Sequence, residues 1–328
     1  MRSSITLIIF VVCVYSLAMD SASAHALSNG AMAKYAYRVL DDEAVPVAHA
    51  TAHVSFKSYG RPQDDADWIV QTDRTGCFEV SHRVNERFTV EITKPGYYAT
   101  FDEIFYLGMR SPLPVKDGKW QPYGAVKMVT LKKIRNPCRM AVGTSRTSFR
   151  IPAYDQWIGF DLHDFAFTTP YGNGAEQDVL LRFHLERSGK ESCLATMDVC
   201  FTNHPFAGAY ELKKDVSSEM KGPYRALEHY PYKSTFHYAY ERHPGKPPVH
   251  RELDQTGLLV FRTRTKVDGH GQLVSAHYGK ICGRWSFVGP KGMNLDYCCF
   301  NPVPNDLNLE DCETISTIRR DHPEREIP

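Results

Sequence analysis

Five carboxylates fall close together near the middle of the chain: Asp155, Asp161, Asp164, Glu176 and Asp178, set among Tyr154, Trp157, Phe165, Phe167 and Tyr171. Glycoside hydrolysis uses such a pair across a cleft, one group as acid and one as base or nucleophile, and their separation decides the outcome. Separation belongs to the folded chain. On alternating strands the same residues are solvent-face charges beside core aromatics, and that simpler reading is preferred. His229, His237, His243 and His250 would suit a metal, but a zinc site has short, fixed ligand spacings that these lack. Asp64, Asp65 and Asp67 lack the alternating oxygens and the bidentate Glu of a calcium loop. Neither a metal nor any other cofactor is expected.

Tyr224, Tyr230, Tyr232, Tyr238 and Tyr240 crowd a stretch rich in Pro, Gly and His between residues 203 and 250. Such rings offer an apolar face and a polar tip, which suits a glycan or a protein strand, and these five are the candidate ligand-binding residues. Packing within a Tyr-rich β-module is the competing explanation. Nucleophile-elbow, zinc-peptidase, phosphate-loop and dinucleotide signatures are all missing, so no catalytic residue is assigned.

The elements that must hold these residues read as strands. Ala48, Ala50, Ala52, Val54 and Phe56 alternate with His49, Thr51, His53 and Ser55, the period of a half-buried strand. Phe78 with Val80, and Phe88 with Val90 and Ile92, repeat it around an Asp73-Arg74-Thr75-Gly76 turn. Met32 to Leu40 reads as a first strand and Val126 to Ile134 as a last one. His25 to Ala31 reads as a polar leader, and Gly108 to Gly124 as an excursion with Trp120 exposed. Further on, Val179 to Phe201 and Leu258 to Ile281 read as hairpins, the second turning at Asp268-Gly269-His270-Gly271. Between them only Thr235 to Tyr240 reads as a strand. No window has helical spacing, so the chain is expected to be all-β: an immunoglobulin-like β-sandwich, then a larger antiparallel β-rich domain.

The acidic turn with Pro46-Val47, the two strands around it, Thr72-Asp73 with Gly76 and Phe78, and the closing Gly96-Tyr97 resemble the carboxypeptidase regulatory-like, or transthyretin-like, domain family. In those enzymes the domain is an accessory to the zinc peptidase, so the resemblance implies a sandwich without chemistry of its own. Phe261 to Asp268, Ser275 to Ile281 and Asn301 to Glu310 resemble uncharacterised exported bacterial proteins in which a β-rich module follows such a domain. Arg135-Asn136-Pro137 marks a boundary, since proline breaks a ladder. The expected parts are a signal peptide over 1–24, a regulatory-like sandwich over 25–134 and a β-rich domain over 138–328. Asn301-Pro302-Val303-Pro304-Asn305-Asp306 reads as a rigid turn in which Asn and Asp side chains bind nearby backbone.

At 328 residues the chain has room for two domains. Its net charge of +1 leaves no basic surplus for nucleic acid. Arg2, the apolar run Ile5 to Ala18 and the small-residue site Ala22-Ser23-Ala24 form a secretory signal, too short to span a bilayer. The mature chain is therefore expected to be secreted or periplasmic with no membrane span. Removing Cys13 leaves eight of nine cysteines. With a Gly289-Pro290-Lys291-Gly292 hairpin turn, Cys282 is expected to face Cys299 within disulfide range. Cys193 and Cys200 on one strand are roughly 23 Å apart and should not pair. Together these features indicate an exported binding or structural protein whose partner is a glycan or a protein at the cell exterior, with a carbohydrate-active hydrolase as the alternative. Mass spectrometry of exported material is expected to find a mature chain starting near His25; retention of Met1 would contradict the signal assignment.

Overall fold

The computed structural model describes residues 21–106, 113–144, 148–189, 191–202, 206–213, 217–251 and 257–310. The leader with Cys13, the segment 107–112 within the expected excursion, and Cys312 lie outside them. The architecture is all-β, with two compact units, Met1–Ile134 with Ser217–Glu219, and Arg135–Val216 with Met220–Pro328. Among the described residues no helix is long and apolar enough to cross a membrane.

In the first unit, α1 (Ser21–Asn29) precedes β1 (Ala31–Asp41), β2 (Thr51–Lys57), β3 (Ala66–Gln71), β4 (Cys77–Val84), β5 (Arg87–Thr93), β6 (Thr100–Phe105), β7 (Val115–Lys116), β8 (Lys119–Trp120) and β9 (Ala125–Leu131). One sheet runs β4-β1-β8-β7, with β9 also on β1, and the other runs β3-β2-β5-β6. Pairing is antiparallel except where β1 meets β8 and β9. The alternation of β2 sends Ala52, Val54 and Phe56 into a core shared with Tyr35, Tyr37, Phe78 and Phe88. Each large side chain buried this way contributes about 1.5–3 kcal/mol. The 73–76 turn is closed by Asp73, whose Oδ1 accepts from the Thr75 and Cys77 amides at 2.8 and 2.9 Å. Gly76 sits at φ +78, and a Cβ there would lie 2.5 Å from the Val39 carbonyl oxygen, so glycine is required.

Two expectations for this unit are corrected. The stretch 25–31 is not a polar leader: α1 covers most of it, Ala26 is buried, and the Gly30 amide donates to the Ala26 carbonyl to end the helix. Small and apolar residues there pack against the sandwich, which a polarity count misses. Trp120 is not exposed but 1% accessible, with its indole N–H donating to the Val84 carbonyl at 2.7 Å and its ring against Tyr106. The neighbouring Gly and Pro residues shape short turns that fold the indole inward.

The second unit contains β10 (Ala141–Thr144), β11 (Phe149–Arg150), β12 (Trp157–Asp161), β13 (Ala166–Phe167), β14 (Val179–Arg187), β15 (Cys193–Phe201), β16 (Gly208–Lys213), β17 (Thr235–Arg242), β18 (Val249–Arg251), β19 (Gly257–Val267), β20 (Leu273–Val288) and β21 (Gly292–Phe300). One sheet runs β13-β12-β14-β15-β17-β18, and the other β10-β21-β20-β19-β16 with β11 on β21. Both expected hairpins form, as β14–β15 and β19–β20. The stretch between them holds β16 and β18 as well as the expected strand, so it is less loop-rich than its Pro and Gly content indicated. Phe160, Leu181, Met197, Phe261, Trp285 and Phe300 meet between the sheets. A separate core with Tyr210, Leu258, Val260, Tyr278 and Leu309 lies on the other side of β19–β21. These central strands are buried on both faces, which is why Leu258 to Phe261 is apolar without a break.

The C-terminal turn is held as its composition demands. Asn301 Oδ1 accepts from the Val303 amide, Asn305 Oδ1 from Ala276, Asp306 Oδ1 from Asn308 and Asn308 Oδ1 from Glu310. Glu310 in turn accepts from the Arg135 and Asn136 amides at 2.7 Å each.

The cysteine register differs from expectation. The β20–β21 connection is a three-residue 3-10 turn, Gly289–Lys291, with Val288 opposite Gly292, and a bulge between Cys282 and Trp285 shifts the ladder again. Cys282 therefore faces Tyr297 while Cys299 faces Lys280, two residues out of step. Cys193 and Cys200 stand at opposite ends of β15. The buried indole makes the first unit's sharpest test: Trp120→Ala should lower unfolding free energy by about 3–5 kcal/mol in urea titration, and a loss under ~1 kcal/mol would contradict its placement in the core.

Candidate functional site

The outer face of the β3-β2-β5-β6 sheet forms an open groove of about 960 Å³. Register builds it. His53 lies opposite Ile69 on one side and Glu91 on the other, and Glu91 lies opposite Phe101, so Ile69, His53, Glu91 and Phe101 form one row across four strands. One step along, Asp67, Ser55, Thr89 and Glu103 form a second row. The strands alternate, so every member of both rows shares the face opposite the core. Ile69 is 67% and Phe101 47% exposed, giving the first row apolar ends around a polar centre.

Most charges near the groove are already engaged. Asp67 pairs with Lys57 at 3.0 Å, and Glu103 with Arg87 at 3.5 Å. Asp102 accepts from Tyr37 and Lys127, each at 2.6 Å. The hydrogen bond from Ser55 and the ion pair with Lys57 hold the Asp67 carboxyl below the usual carboxylate range. Trp68 turns its ring the other way, edge-on to Phe56 and His82. The hydrogen-bonding side chains of His53, Thr89 and Glu91 are thus left to face the groove at its centre. An open, partly apolar site with a few convergent polar groups is suited to binding.

The five tyrosines do not form one surface. Tyr238 and Tyr240, only 4% and 5% exposed, share the inward face of β17 with Phe236, and the Tyr238 ring lies 6.1 Å from that of Trp285. They are core residues, a correction that follows from strand parity: His237 and Ala239 take the other face. Burial pushes the Tyr238 phenol well above its usual range. Tyr224 lies under the Arg135 guanidinium at 4.4 Å. Tyr230 and Tyr232 do come together around Tyr210, at 4.5 and 5.2 Å between centroids. Tyr232 is spent on packing, with Arg262 at 4.1 Å over its ring and its hydroxyl donating to the Leu227 carbonyl. Tyr230 alone of the five is exposed.

Three of the five carboxylates, Asp161, Glu176 and Asp178, converge, but on an arginine. Arg264 Nε donates to Asp178 Oδ1 at 2.9 Å, and its Nη2 reaches Asp161 Oδ1 at 3.0 Å and Asp178 Oδ2 at 3.1 Å. Glu176 lies 3.7 Å from the same guanidinium, which also covers the Phe300 ring at 4.7 Å. Asp161 further accepts from the His163, Asp164 and Glu176 amides, each at 2.8 Å. Asp178 accepts from the Leu162 amide and the Thr263 hydroxyl. Burial pushes the Asp178 carboxyl up, against the pull of Arg264. Arg264 occupies the bulge in β19 at φ +50, and that turn of the backbone aims its side chain at the two aspartates. Asp155 stands apart, bonded to His184. Asp161 and Asp178 are fully buried, and their oxygens are occupied by the network.

The four histidines also stay separate. His237 bonds Asp198 and His243 bonds Glu241, each at 2.7 Å; His250 meets the Tyr240 ring edge-on, and His229 is exposed. Among the described residues, ligand-type atoms gather within 4.8 Å only at Asp161, His163 and Asp164, where Asp161 already takes three amides and a guanidinium. Asp64, Asp65 and Asp67 engage Arg61, the Ser58 amide and Lys57 in turn.

No protein-family model matches the chain, and no curated protein matches it. Among solved structures, it is similar to hydroxyquinol 1,2-dioxygenase from Pseudomonas putida at 17% identity and a TM-score of 0.25, over 32% of this chain and 58% of that one. A candidate carbohydrate-binding protein from Bacteroides uniformis is similar at 10% identity and a TM-score of 0.19, over 84% and 99% of the two chains. The major pilin SpaD from Corynebacterium diphtheriae is similar at 10% identity and a TM-score of 0.22, over 83% and 82%. The chain spans less than two thirds of the dioxygenase's length, and at these scores nothing about its activity follows from any of the three.

The carboxylate network makes its own prediction. Arg264→Met strands two buried carboxylates and should cost about 3–5 kcal/mol of unfolding free energy, part of which Asp178→Asn on the same background should restore. Urea titration of the three proteins checks it, and equal stability of single variant and parent would contradict the network.

Proposed function

We propose that this protein is an exported, non-catalytic binding protein whose first unit takes an extended glycan in the groove. The observation that carries the reading is the registered row Ile69, His53, Glu91, Phe101, apolar at its ends and polar at its centre. A sugar ring has apolar C–H faces and a rim of hydroxyls. Its faces would lie against Phe101 or Ile69 while the hydroxyls reach Glu91, His53 and Thr89. An extended protein strand would instead add to a sheet edge through its backbone, so a ligand on the face favours a glycan. The resemblance to an accessory, regulatory-like domain supports the same reading. So do the carboxylates of the hydrolase alternative: a general acid or base must reach its substrate, whereas Asp161 and Asp178 are buried and bonded.

A glycan array followed by calorimetry tests the proposal. Phe101→Ala and Glu91→Gln should each weaken binding of the selected glycan about thirtyfold, a loss of ~2 kcal/mol, with the melting temperature unchanged. An array that returns no ligand, or glycoside turnover that Asp161→Ala abolishes without lowering the melting temperature, would overturn it.

A further inference from the structure

The second unit carries another row, on the outer face of its β12–β18 sheet. Trp157, Arg182, Asp198 and His237 lie opposite one another in turn across β12, β14, β15 and β17. Trp157 is 45% exposed, although large aromatics usually go inside. The Arg182 guanidinium stacks over its ring at 4.8 Å. Asp198 holds that guanidinium in place, accepting on Oδ2 from Nε at 3.2 Å and from Nη2 at 2.8 Å, and engages His237 Nδ1 at 2.7 Å with Oδ1. The row borders a depression of about 310 Å³ whose lining adds Lys233.

The charge of this depression is one-sided. Asp198, the one carboxylate among the described residues that line it, is spent on Arg182 and His237, and these partners hold it below the usual carboxylate range despite its burial. Arg182 keeps further N–H groups in a fixed plane, and Lys233 has an aromatic neighbour, Phe236 at 5.0 Å. With Nδ1 turned to Asp198, His237 offers Nε2 to a partner. A fixed guanidinium is suited to planar, anionic groups such as carboxylates, and the exposed indole beside it suits the apolar face of a ring. The space is at the small end of ligand pockets, enough for one sugar ring.

We infer that this face is a second binding site, sharing no residue with the groove, and that its ligand is an acidic saccharide: a sugar ring on Trp157 whose carboxylate or sulfate lies between Arg182 and Lys233. Calorimetry on the whole chain, with a galacturonate trimer, a sulfated disaccharide and a neutral glucose trimer, tests it. One or both acidic probes should bind at least tenfold more tightly than the neutral one. Whichever binds identifies the anionic group. Trp157→Ala and Lys233→Gln should each weaken that binding at least fivefold with the melting temperature unchanged, and should Trp157→Ala fail to fold, Lys233→Gln carries the test. Equal affinity for the neutral probe, no binding of either acidic probe at millimolar concentration, or acidic binding that both variants leave intact would overturn the inference.

Discussion

Successive side chains of a β-strand point to opposite faces, so in a sandwich each residue belongs either to the core or to an outer surface. Both rows of outward side chains depend on that division and on the register that lines strands up. His53 and Glu91 are far apart in sequence and adjacent in the sheet. The same holds for Trp157, Arg182, Asp198 and His237, drawn from four strands. Inner faces are filled by aromatic and branched residues, and outer faces carry the polar groups.

The buried carboxylates of the second unit are hydrogen-bonded and ion-paired. Two buried carboxylates would oppose folding if left unpaired, and Arg264 answers both from a bulge where its own φ is positive. The network ties the end of β12 and the residue before β14, which are neighbours in one sheet, to the bulge of β19 in the other. Asn301, Asn305, Asp306 and Asn308 do the same for the last described segment, and buried Lys280 donates to the Lys221 and Leu309 carbonyls at 3.0 Å each. Such groups fix which loop goes where. Their oxygens and hydrogens are used up in doing so, and a group used up in this way is a poor catalyst.

The strands were legible wherever one face meets water and the other the core. Val179 to Phe201 shows it, as does β2, whose alternation is visible residue by residue, whereas Leu258 to Ile281, buried on both faces at its start, was legible from its turn. The parity of β17 was legible too: Phe236, Tyr238 and Tyr240 share one phase, and a tyrosine counted by its phase rather than by its neighbours would have been assigned to the core. Register was not legible. A three-residue turn and one bulge displaced Cys282 from Cys299 by two positions, because turn length and bulges are set by local backbone geometry that residue type only weakly encodes. The groove was hidden for the same reason. Its residues are ordinary outward positions of four strands, and no single segment contains more than a quarter of the row.

The contrast between spent and unspent polar groups also bears on what kind of protein this is. Catalysis asks for groups held rigidly yet able to exchange protons with a substrate, usually at the bottom of a cleft. Here the rigidly held carboxylates Asp161 and Asp178 are buried and paired with Arg264. The groups that remain accessible, His53, Thr89 and Glu91 in one unit and Trp157, Lys233 and His237 in the other, stand on open sheet faces. A sheet face fixes such groups through the backbone ladder and leaves room for a long ligand to pass over them. That openness is the feature on which the proposed binding of a repeating, hydroxyl-rich chain rests.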